Sequence, residues 1–266
     1  MMLGDDFTTC YRAACELNDI NKERQDIERG VLEDAMKQVE ENSYDSDPCV
    51  VVFDPRWHPG VVGIIAGKLS REFHRPVIVF GEEDGGFVKG SGRSIHGIDL
   101  VECLVPCADM LGSWGGHPMA VGVSVKSGGI DEFRRRINAV IIEKYGKDID
   151  FSPKININLT LDLSDVGIEL LDELELLHPF GEGNREPIFA LKSVVLPKSP
   201  EIFGGGANFR FQIPLSNGWI NAVAWRMAGR IPPAGKKIDM AVKLGWNRWN
   251  RRKTPQATLV DWKLSQ

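Results

Sequence analysis

The stretch Gly112-Ser-Trp-Gly-Gly-His-Pro-Met-Ala-Val-Gly122 decides how the rest of the chain is interpreted. Gly115 and Gly116 have no Cβ and can adopt positive φ, so their N–H groups could converge on a phosphate beside the His117 ring. A second stretch, Lys89-Gly-Ser-Gly-Arg-Ser94, adds two hydroxyl groups and a guanidinium that can hold a phosphate in a bidentate manner. We predict that both stretches are loops and that they form one phosphate-binding site.

Each of these residues, taken alone, also has a simpler explanation. A Gly-Gly pair is often a plain turn, a single His is often structural, and an exposed Arg is often only solvated. The combination and order of the two stretches favour the binding site. Its predicted phosphate-binding residues are Gly90, Ser91, Gly92, Arg93, Ser94, Gly115, Gly116 and His117.

Length and composition predict two ordinary globular domains. The chain has 266 residues, of which 42% are hydrophobic and 26% charged. No run of eighteen apolar residues occurs, and the N-terminus carries acidic residues where a signal peptide would carry basic ones. We therefore expect a cytoplasmic protein with no membrane partner. The five cysteines include no C-x-x-C pair, which argues against a disulfide framework or a zinc knuckle.

Charge is distributed unevenly along the chain. Residues 1–48 hold 13 Asp and Glu against 5 Lys and Arg, whereas residues 226–263 hold 10 Lys and Arg against 2 Asp. Tryptophans are interleaved with the basic residues, which favours a nucleic-acid surface over a merely solvated one. We predict that this surface includes Trp219, Trp246, Arg248, Trp249, Arg251, Arg252 and Lys253, and that Trp225 is a core residue.

The first half of the chain reads as a connector followed by an α/β domain. Apolar residues at helical spacing from Phe7 to Val39 predict one long helix, or two in line, within a connector at 1–46. Apolar runs at 49–53 and 76–80 flank a helix that opens at Trp57-His-Pro-Gly60, which predicts a βαβ unit. A helix over 98–111, a strand over 119–125 and a helix over 130–145 complete the predicted domain, 47–148. His58 is interpreted as a helix-entry residue, and His74, His96 and His178 as structural or solvated.

In the second half of the chain, the pattern of apolar and polar residues changes at Lys154. Strict alternation of apolar and polar residues from Ile155 to Leu163 predicts a strand, and residues 165–177 are predicted to form an acidic helix. Both lie within a predicted linker at 149–186. Five short strands follow at about 188–197, 208–215, 219–226, 237–245 and 256–264. Together they predict an all-β, OB-like barrel over 187–266.

The two glycine-rich stretches, in this order, resemble the DHHA1 domain of the DHH phosphoesterase superfamily. Five further motifs extend the resemblance to nearly the whole chain: Leu17-Asn-x-x-Asn-Lys-Glu-Arg24, Trp57-His-Pro-Gly-Val-Val-Gly63, Arg75-Pro-Val-Ile-Val79, Pro179-Phe-Gly-Glu-Gly-Asn184, and Asn247-Arg-Trp-Asn250 with Gln256. In that combination the chain resembles the RecJ family of single-strand-specific 5′→3′ DNA exonucleases. It departs from the family at Arg251, where a glycine is usual.

The resemblance implies a hydrolase that acts in DNA repair and recombination and uses Mn²⁺ or Mg²⁺ held in an N-terminal DHH domain. This chain contains no Asp-His-His, Asp-x-Asp or His-x-Asp motif, so we expect no metal or other cofactor here and no nuclease activity from this chain alone. It reads as the C-terminal, substrate-binding part of a longer enzyme whose partners are single-stranded DNA and its own DHH domain. His117 is then the expected catalytic residue, stabilising negative charge beside the phosphate.

Two other functions stay open at this point. One is a stand-alone nucleic-acid-binding module built from a DHHA1 domain and an OB-like domain. The other is a fragment of a DHH-family oligonucleotide phosphodiesterase, although such enzymes typically lack a C-terminal barrel.

Overall fold

The computed structural model describes residues 6–181, 183–216, 218–249 and 252–265. The chain divides into two compact units, the first running to Pro153 and the second beginning at Lys154. Five α-helices, two 3₁₀ helices and twelve strands are formed within the described residues. The finer division into connector, DHHA1 domain, linker and OB-like domain stays a prediction.

The first unit begins with helix α1, Phe7–Asn42. It is a single helix of 36 residues, and the side chain of Asp6 caps it by accepting hydrogen bonds from the N–H groups of Thr8 and Thr9. Its buried residues, among them Val31, Ala35 and Val39, all lie in its second half. The first half therefore exposes its large apolar side chains, namely Phe7, Tyr11, Leu17 and Ile20.

The sheet of the first unit has five strands in the order β1-β2-β3-β5-β4. Strand β1 (Val50–Phe53) is parallel to β2 (Val77–Asp84), and α2 (Pro59–Phe73) connects them as the predicted βαβ unit. Strands β3 (Phe87–Arg93) and β4 (Leu111–His117) both pair antiparallel with β5 (Ala120–Lys126). The chain crosses from β3 to β4 through α3 (Leu100–Leu104), and α4 (Ile130–Tyr145) follows β5.

Alternate residues of the strands pack into two separate hydrophobic cores, one on each face of the sheet. On one face, Val50, Val52, Val77 and Val79 pack with α2 and with the second half of α1. On the other face, the intervening residues of the same strands pack with α3 and α4. The helices thus lie on both sides of the mixed sheet, as the sequence predicts.

Both glycine-rich stretches are strands, so the prediction that they are loops is wrong. The reason is packing: a Cβ on Gly90 would lie 2.5 Å from the Phe80 ring, and one on Gly112 would lie 2.5 Å from the Phe87 ring. These glycines make room for aromatic rings across a sheet rather than for a turn. The helix predicted over 98–111 is also shorter than expected. It ends at Leu104 and continues as a 3₁₀ helix, since Pro106 lacks the N–H that α-helical hydrogen bonding needs.

Side chains cover the outer edge of strand β1. The amide of Gln38 donates to the carbonyl of Phe53 and accepts from its N–H, both at 2.9 Å. The amide of Asn138 does the same for Cys49, at 3.1 and 2.7 Å. Helices α1 and α4 thereby satisfy backbone groups that an edge strand would leave free.

The second unit is a seven-stranded sheet with the order β6-β7-β11-β12-β10-β9-β8. The strands are β6 (Leu159–Leu161), β7 (Phe189–Val195), β8 (Glu201–Phe203), β9 (Asn208–Leu215), β10 (Gly218–Ala224), β11 (Lys237–Trp249) and β12 (Arg252–Leu264). Helix α5 (Ile168–Leu176) buries Leu171 and Leu174 in the same core. The hydrogen bonding seen among the described residues does not close the sheet into a barrel.

Two predictions about these strands need correction. The alternating segment 155–163 forms a strand only at Leu159–Leu161, and Ile157 and Leu159 are exposed, so the alternation there does not mark a half-buried strand of that length. Strand β8 was not predicted. Its three residues carry too little periodicity to stand out in the sequence.

Asp239 ties three parts of the second unit together. Its carboxylate accepts hydrogen bonds from Lys192 Nζ at 2.9 Å, from the Ser193 N–H at 3.1 Å and from Ser265 Oγ at 2.8 Å. The hydrogen bond from Lys192 is the main reason that the pKa of Asp239 falls to about 2, and it outweighs the opposing effect of burial. The charged carboxylate therefore joins β7, β11 and the end of β12.

We predict that Asp239→Asn lowers the free energy of unfolding by about 1 kcal/mol at neutral pH. The folded pKa lies below the ordinary 3.8, so the stabilisation is complete above that value and is lost as pH falls through about 2. Urea unfolding at several pH values should show this loss in the parent chain and not in the variant. Asp162→Asn, at an exposed position of the same unit, is the control and should behave like the parent. Equal pH dependence in parent and Asp239→Asn would contradict the prediction.

Candidate nucleic-acid interface

Arg93 and His117 lie in one row across the sheet of the first unit. Both are register partners of Ala120, Arg93 from the β3 side and His117 from the β4 side. Directly opposed residues of antiparallel strands project to the same face, so these two side chains share a face. Their Cα atoms are separated by two strand spacings, roughly 10 Å. The predicted proximity of Arg93 and His117 thus arises from strand pairing instead of from converging loops.

The neighbouring row on this face consists of Ser91, Gly122 and Gly115. A Cβ added to Gly115 or to Gly122 would meet no heavy atom within 4 Å, so the space above them is open. Helix α2 covers this face over β1 and β2. Between Ser91 and His117 the face is open, and Gly115 and Gly122 form a glycine floor there. An extended ligand could therefore approach the backbone closely at this point.

The Arg93 guanidinium is turned toward its own strand. Its Nη1 donates to Ser91 Oγ at 3.0 Å and to the carbonyl of Gly92 at 2.8 Å. Across the described parts of the chain, no carboxylate lies within ion-pair distance of Arg93. Its positive charge is thus uncompensated, and its remaining N–H groups are available to an anion.

Three predicted phosphate-binding residues are not presented on this face. Gly90 and Gly92 face the opposite core, where a Cβ on Gly92 would lie 2.6 Å from Val121 Cγ2, and both are paired with β2 and with β5. Ser94 is buried, and its hydroxyl donates to the carbonyl of Ile98 at 2.6 Å. Gly116 also has a structural reason to be glycine, since its φ is 141° and a Cβ would lie 2.3 Å from the Ala120 carbonyl oxygen.

Helix α2 borders the same face and contributes residues that the sequence analysis did not single out. A cavity of about 450 Å³ is lined by Pro59, Gly60, Gly63, Ile64, Gly67, Arg71, Ser91 and Arg93. The spacing of Gly60, Gly63 and Gly67 along one helix face is the signal that could have identified this wall. His58 is the N-cap of α2 and accepts from the Gly60 N–H through Nδ1 at 3.0 Å, which confirms its predicted helix-entry role.

In the second unit, three predicted DNA-binding residues contact helix α5 instead of facing solvent freely. Trp246 Nε1 donates to Asp172 at 3.0 Å, and Arg248 forms an ion pair with Glu175. Lys253 Nζ lies 3.0 Å from Glu175 and 3.2 Å from Asp172, and 4.2 Å from the centre of the Trp246 ring. Hydrogen bonds from Arg248 and Lys253 lower the pKa of Glu175. Acidic side chains more than 70 residues away thus compensate the charges of Arg248 and Lys253 on the β11–β12 hairpin.

The exposed tryptophans of the second unit are Trp219, Trp225 and Trp249, at 66%, 55% and 74% exposure. The prediction that Trp225 is a core residue is wrong. Ala222 and Ala224 point inward along β10, so the ring of Trp225 faces outward and packs edge-on against Phe203, 5.7 Å between ring centres.

The predicted basic contacts at the end of the β11–β12 hairpin are only partly described. Arg252 is exposed, and no carboxylate lies within 4.0 Å of it in the described ranges. It is the cross-strand register partner of Trp249. Arg251 lies outside the described residues. Arg252 is thus the described arginine of this hairpin that remains free to contact a phosphate.

Three amide side chains form a row across the outward face of this sheet. Gln256 on β12 is the register partner of Asn221 on β10, which is the partner of Gln212 on β9. Gln212 Nε2 donates to Asn221 Oδ1 at 3.3 Å. A cavity of about 900 Å³ lies over the row and is also bordered by Phe203, Arg210, Trp225, Asn247 and Trp249. Aromatic rings flanking an amide row can stack on bases while the amides hydrogen-bond to base edges.

Comparisons with known proteins identify two domain families in this chain. The DHHA1 domain family matches residues 46–143, and the RecJ OB domain family matches residues 157–261. The chain is 32% identical over 271 residues to the single-stranded-DNA-specific exonuclease RecJ of Bacillus subtilis (strain 168), covering 100% of this chain and 34% of that protein. The crystal structure of RecJ in complex with Mn²⁺ from Thermus thermophilus matches 99% of this chain and 38% of that one, with a TM-score of 0.80 and 26% identity. The chain belongs to the RecJ family.

The similarity locates the chain within RecJ. It spans between 34% and 47% of the length of the curated RecJ proteins it matches, and it corresponds to their C-terminal part. The RecJ of Thermus thermophilus, for example, is 28% identical over 265 residues, which are 98% of this chain and 36% of that protein. The predicted order of a long helix, a DHHA1 domain and an OB domain is confirmed.

A metal ion would need clustered ligand side chains within the described ranges. No group of three or more His, Cys, Asp or Glu side chains there is close enough together to hold a metal ion. The residues described therefore do not fit the Mn²⁺ or Mg²⁺ found in crystal structures of Thermus thermophilus RecJ. In the same ranges, no helix has the length and apolarity needed to span a membrane.

We predict that Gly116→Ala destabilises the chain by roughly 2–4 kcal/mol, because the new Cβ would collide with the Ala120 carbonyl in a backbone conformation that L residues avoid. Gly115→Ala is the matched control, since it adds the same methyl group to open space and should cost less than about 1 kcal/mol. Thermal unfolding of the two variants compares them directly. Similar melting temperatures for both variants would show that the β4 backbone at Gly116 tolerates a side chain.

Proposed function

We propose that this chain is the substrate-binding C-terminal part of a RecJ-type exonuclease that digests single-stranded DNA from the 5′ end in DNA repair and recombination. The observation that carries the proposal is the open face of the first unit, where Arg93 and Ser91 stand opposite His117 across a glycine floor. The RecJ identity of the relatives supports the substrate class. Such an enzyme would work in the cytoplasm, where its DNA substrate is.

In this proposal the first unit grips the DNA backbone. Arg93 offers paired N–H donors to a phosphate, and Ser91 offers a hydroxyl beside it. His117, which is exposed on the same face, donates a hydrogen bond to the phosphate oxygen that gains charge during hydrolysis. Gly115 and Gly122 let the strand approach without a side chain in between.

The second unit would hold the bases of the same substrate. Trp225 and Trp249 provide stacking surfaces at the cavity of about 900 Å³, and the amide row formed by Gln212, Asn221 and Gln256 provides donors and acceptors for base edges. Of the residues predicted from sequence, Trp219, Trp249 and Arg252 keep a binding role, and Trp225 is added to them.

The divalent metals that cleave the phosphodiester would belong to a DHH domain outside this chain. The basis is that no suitable ligand cluster occurs within the residues described. The same observation favours one second candidate, a stand-alone nucleic-acid-binding module. The coding sequence upstream of Met1 separates the two, because an in-frame DHH domain is expected only for the nuclease.

We predict that Arg93→Ala, in the enzyme completed by a DHH domain, loses about 2–4 kcal/mol of transition-state stabilisation, since a bidentate charge-assisted contact to phosphate is removed. Arg93→Lys should recover little, because a point charge does not reproduce the planar fork. The measurement is kcat/KM on single-stranded DNA with Mn²⁺. The unmodified chain without a DHH domain is the control and should release no nucleotides. An Arg93→Ala enzyme as active as the parent would refute the assignment.

We predict that Trp225→Ala and Trp249→Ala each weaken single-stranded DNA binding by about 1–3 kcal/mol while leaving the salt dependence unchanged, because stacking releases no counterions. Arg252→Ala should instead flatten the salt dependence by about 0.7 in log K against log salt. Fluorescence anisotropy of a labelled oligonucleotide measures both effects. Tyr11→Ala, an exposed aromatic on α1, is the control and should change neither. Tryptophan variants that alter only the salt slope would argue against stacking.

A further inference from the structure

One face of helix α2 carries Gly60, Gly63, Gly67 and Arg71 at spacings of three and four residues. This face lies against strand β3. A Cβ on Gly63 would sit 3.1 Å from Ser91 Oγ and 3.3 Å from Arg93 Nη2. The absence of a side chain at Gly63 thus leaves the space that the Arg93 guanidinium occupies.

Arg71 and Arg93 converge on the same part of this wall. A Cβ on Gly67 would lie 3.9 Å from Arg71 Nη1 and 3.9 Å from Arg93 Cγ, so both side chains border the same glycine. Both also line the cavity of about 450 Å³. In the portions of the chain that are described, neither guanidinium has a carboxylate within 4.0 Å. Two like charges therefore share a cavity with no compensating anion from those portions of the chain.

Both guanidinium groups keep N–H donors that no carboxylate in the described ranges occupies, so an anion in the cavity could accept hydrogen bonds from both. The cavity extends along α2, and Gly63 and Arg71, which are eight positions apart, are separated by roughly 12 Å at 1.5 Å per residue. Such a length exceeds one phosphate and suits two adjacent phosphates of an extended strand. Gly60, Gly63 and Gly67 keep the helix surface flat along this path.

We propose that Arg71 is a second phosphate-binding residue, which holds the phosphate adjacent to the one held by Arg93. The inference rests on the proposed function, because it assumes that Arg93 binds the DNA backbone. The inference also gives the path of the bound DNA strand. The DNA runs along α2, from Arg93 and Ser91 toward the C-terminal end of the helix at Arg71.

The test compares a ligand with one phosphate to a ligand with two. Thymidine 5′-monophosphate and the dinucleotide pTpT are titrated into the full chain, and the amide signals of Gly63 and Gly67 are followed by NMR. Arg71→Ala should weaken pTpT about tenfold, the effect of losing a charge-assisted hydrogen bond, and should leave the mononucleotide within about twofold. Arg71→Lys should fall between parent and alanine variant. Arg135→Ala, an exposed arginine on α4 at the opposite face, removes the same charge as the matched control and should change neither.

The outcomes separate this inference from the proposed function. Equal weakening of both ligands by Arg71→Ala, or no weakening of either, would overturn the role of Arg71. In both cases the phosphate site at Arg93 stands if Arg93→Ala weakens both ligands. If Arg93→Ala leaves both affinities unchanged, the phosphate site itself is wrong. Loss of pTpT binding by Arg135→Ala as well would show a general charge effect and would also overturn the inference.

Discussion

The pairing of β5 with β3 on one side and with β4 on the other is the interaction on which the candidate site depends. It places Arg93 and His117 in one row through Ala120, although they are separated along the chain by α3 and a 3₁₀ helix. Gly116, which pairs with Val121 near the end of β4, has a φ of 141° and leaves no room for a Cβ beside the Ala120 carbonyl. A shift of one residue in either pairing would send one of the two side chains to the opposite, apolar face. The register of three strands is therefore what makes a phosphate site possible.

The sequence was sufficient for the order of the long helix and the two domains and for the family, because apolar periodicity and local motifs carry that information. It was not sufficient for the glycine-rich stretches. Glycine is consistent with a loop that approaches a ligand and with a strand that leaves room for a ring, and only the position of Phe80 and Phe87 distinguishes the two. Arg71 was missed for a related reason, since its proximity to Arg93 depends on how α2 lies against β3.

In the second unit, the sequence was likewise not sufficient to predict which charged residues are free to bind DNA. The basic hairpin was predicted to bind DNA from its composition, but Asp172 and Glu175 of α5 compensate Arg248 and Lys253 there. A contact between residues so far apart in sequence leaves no trace in local composition. Trp225 was misplaced because its neighbours are apolar, whereas its position after the inward-facing Ala224 decides its direction. The binding surface proposed for this unit is accordingly the amide row with its flanking aromatics.

The amides that cover strand β1 have a consequence for the sheet as a whole. Gln38 and Asn138 occupy backbone groups of Phe53 and Cys49 in the way that a neighbouring strand would. An incoming extended segment would have to displace these two amides, each bonded in both directions, and also Arg134, whose Nε donates to the Val51 carbonyl at 3.0 Å. Growth of the sheet, by misassembly or by a docking peptide, is thus disfavoured at β1. The other edge of the sheet is β4, the strand that carries His117, where an added segment would lie beside the face that we propose binds phosphate.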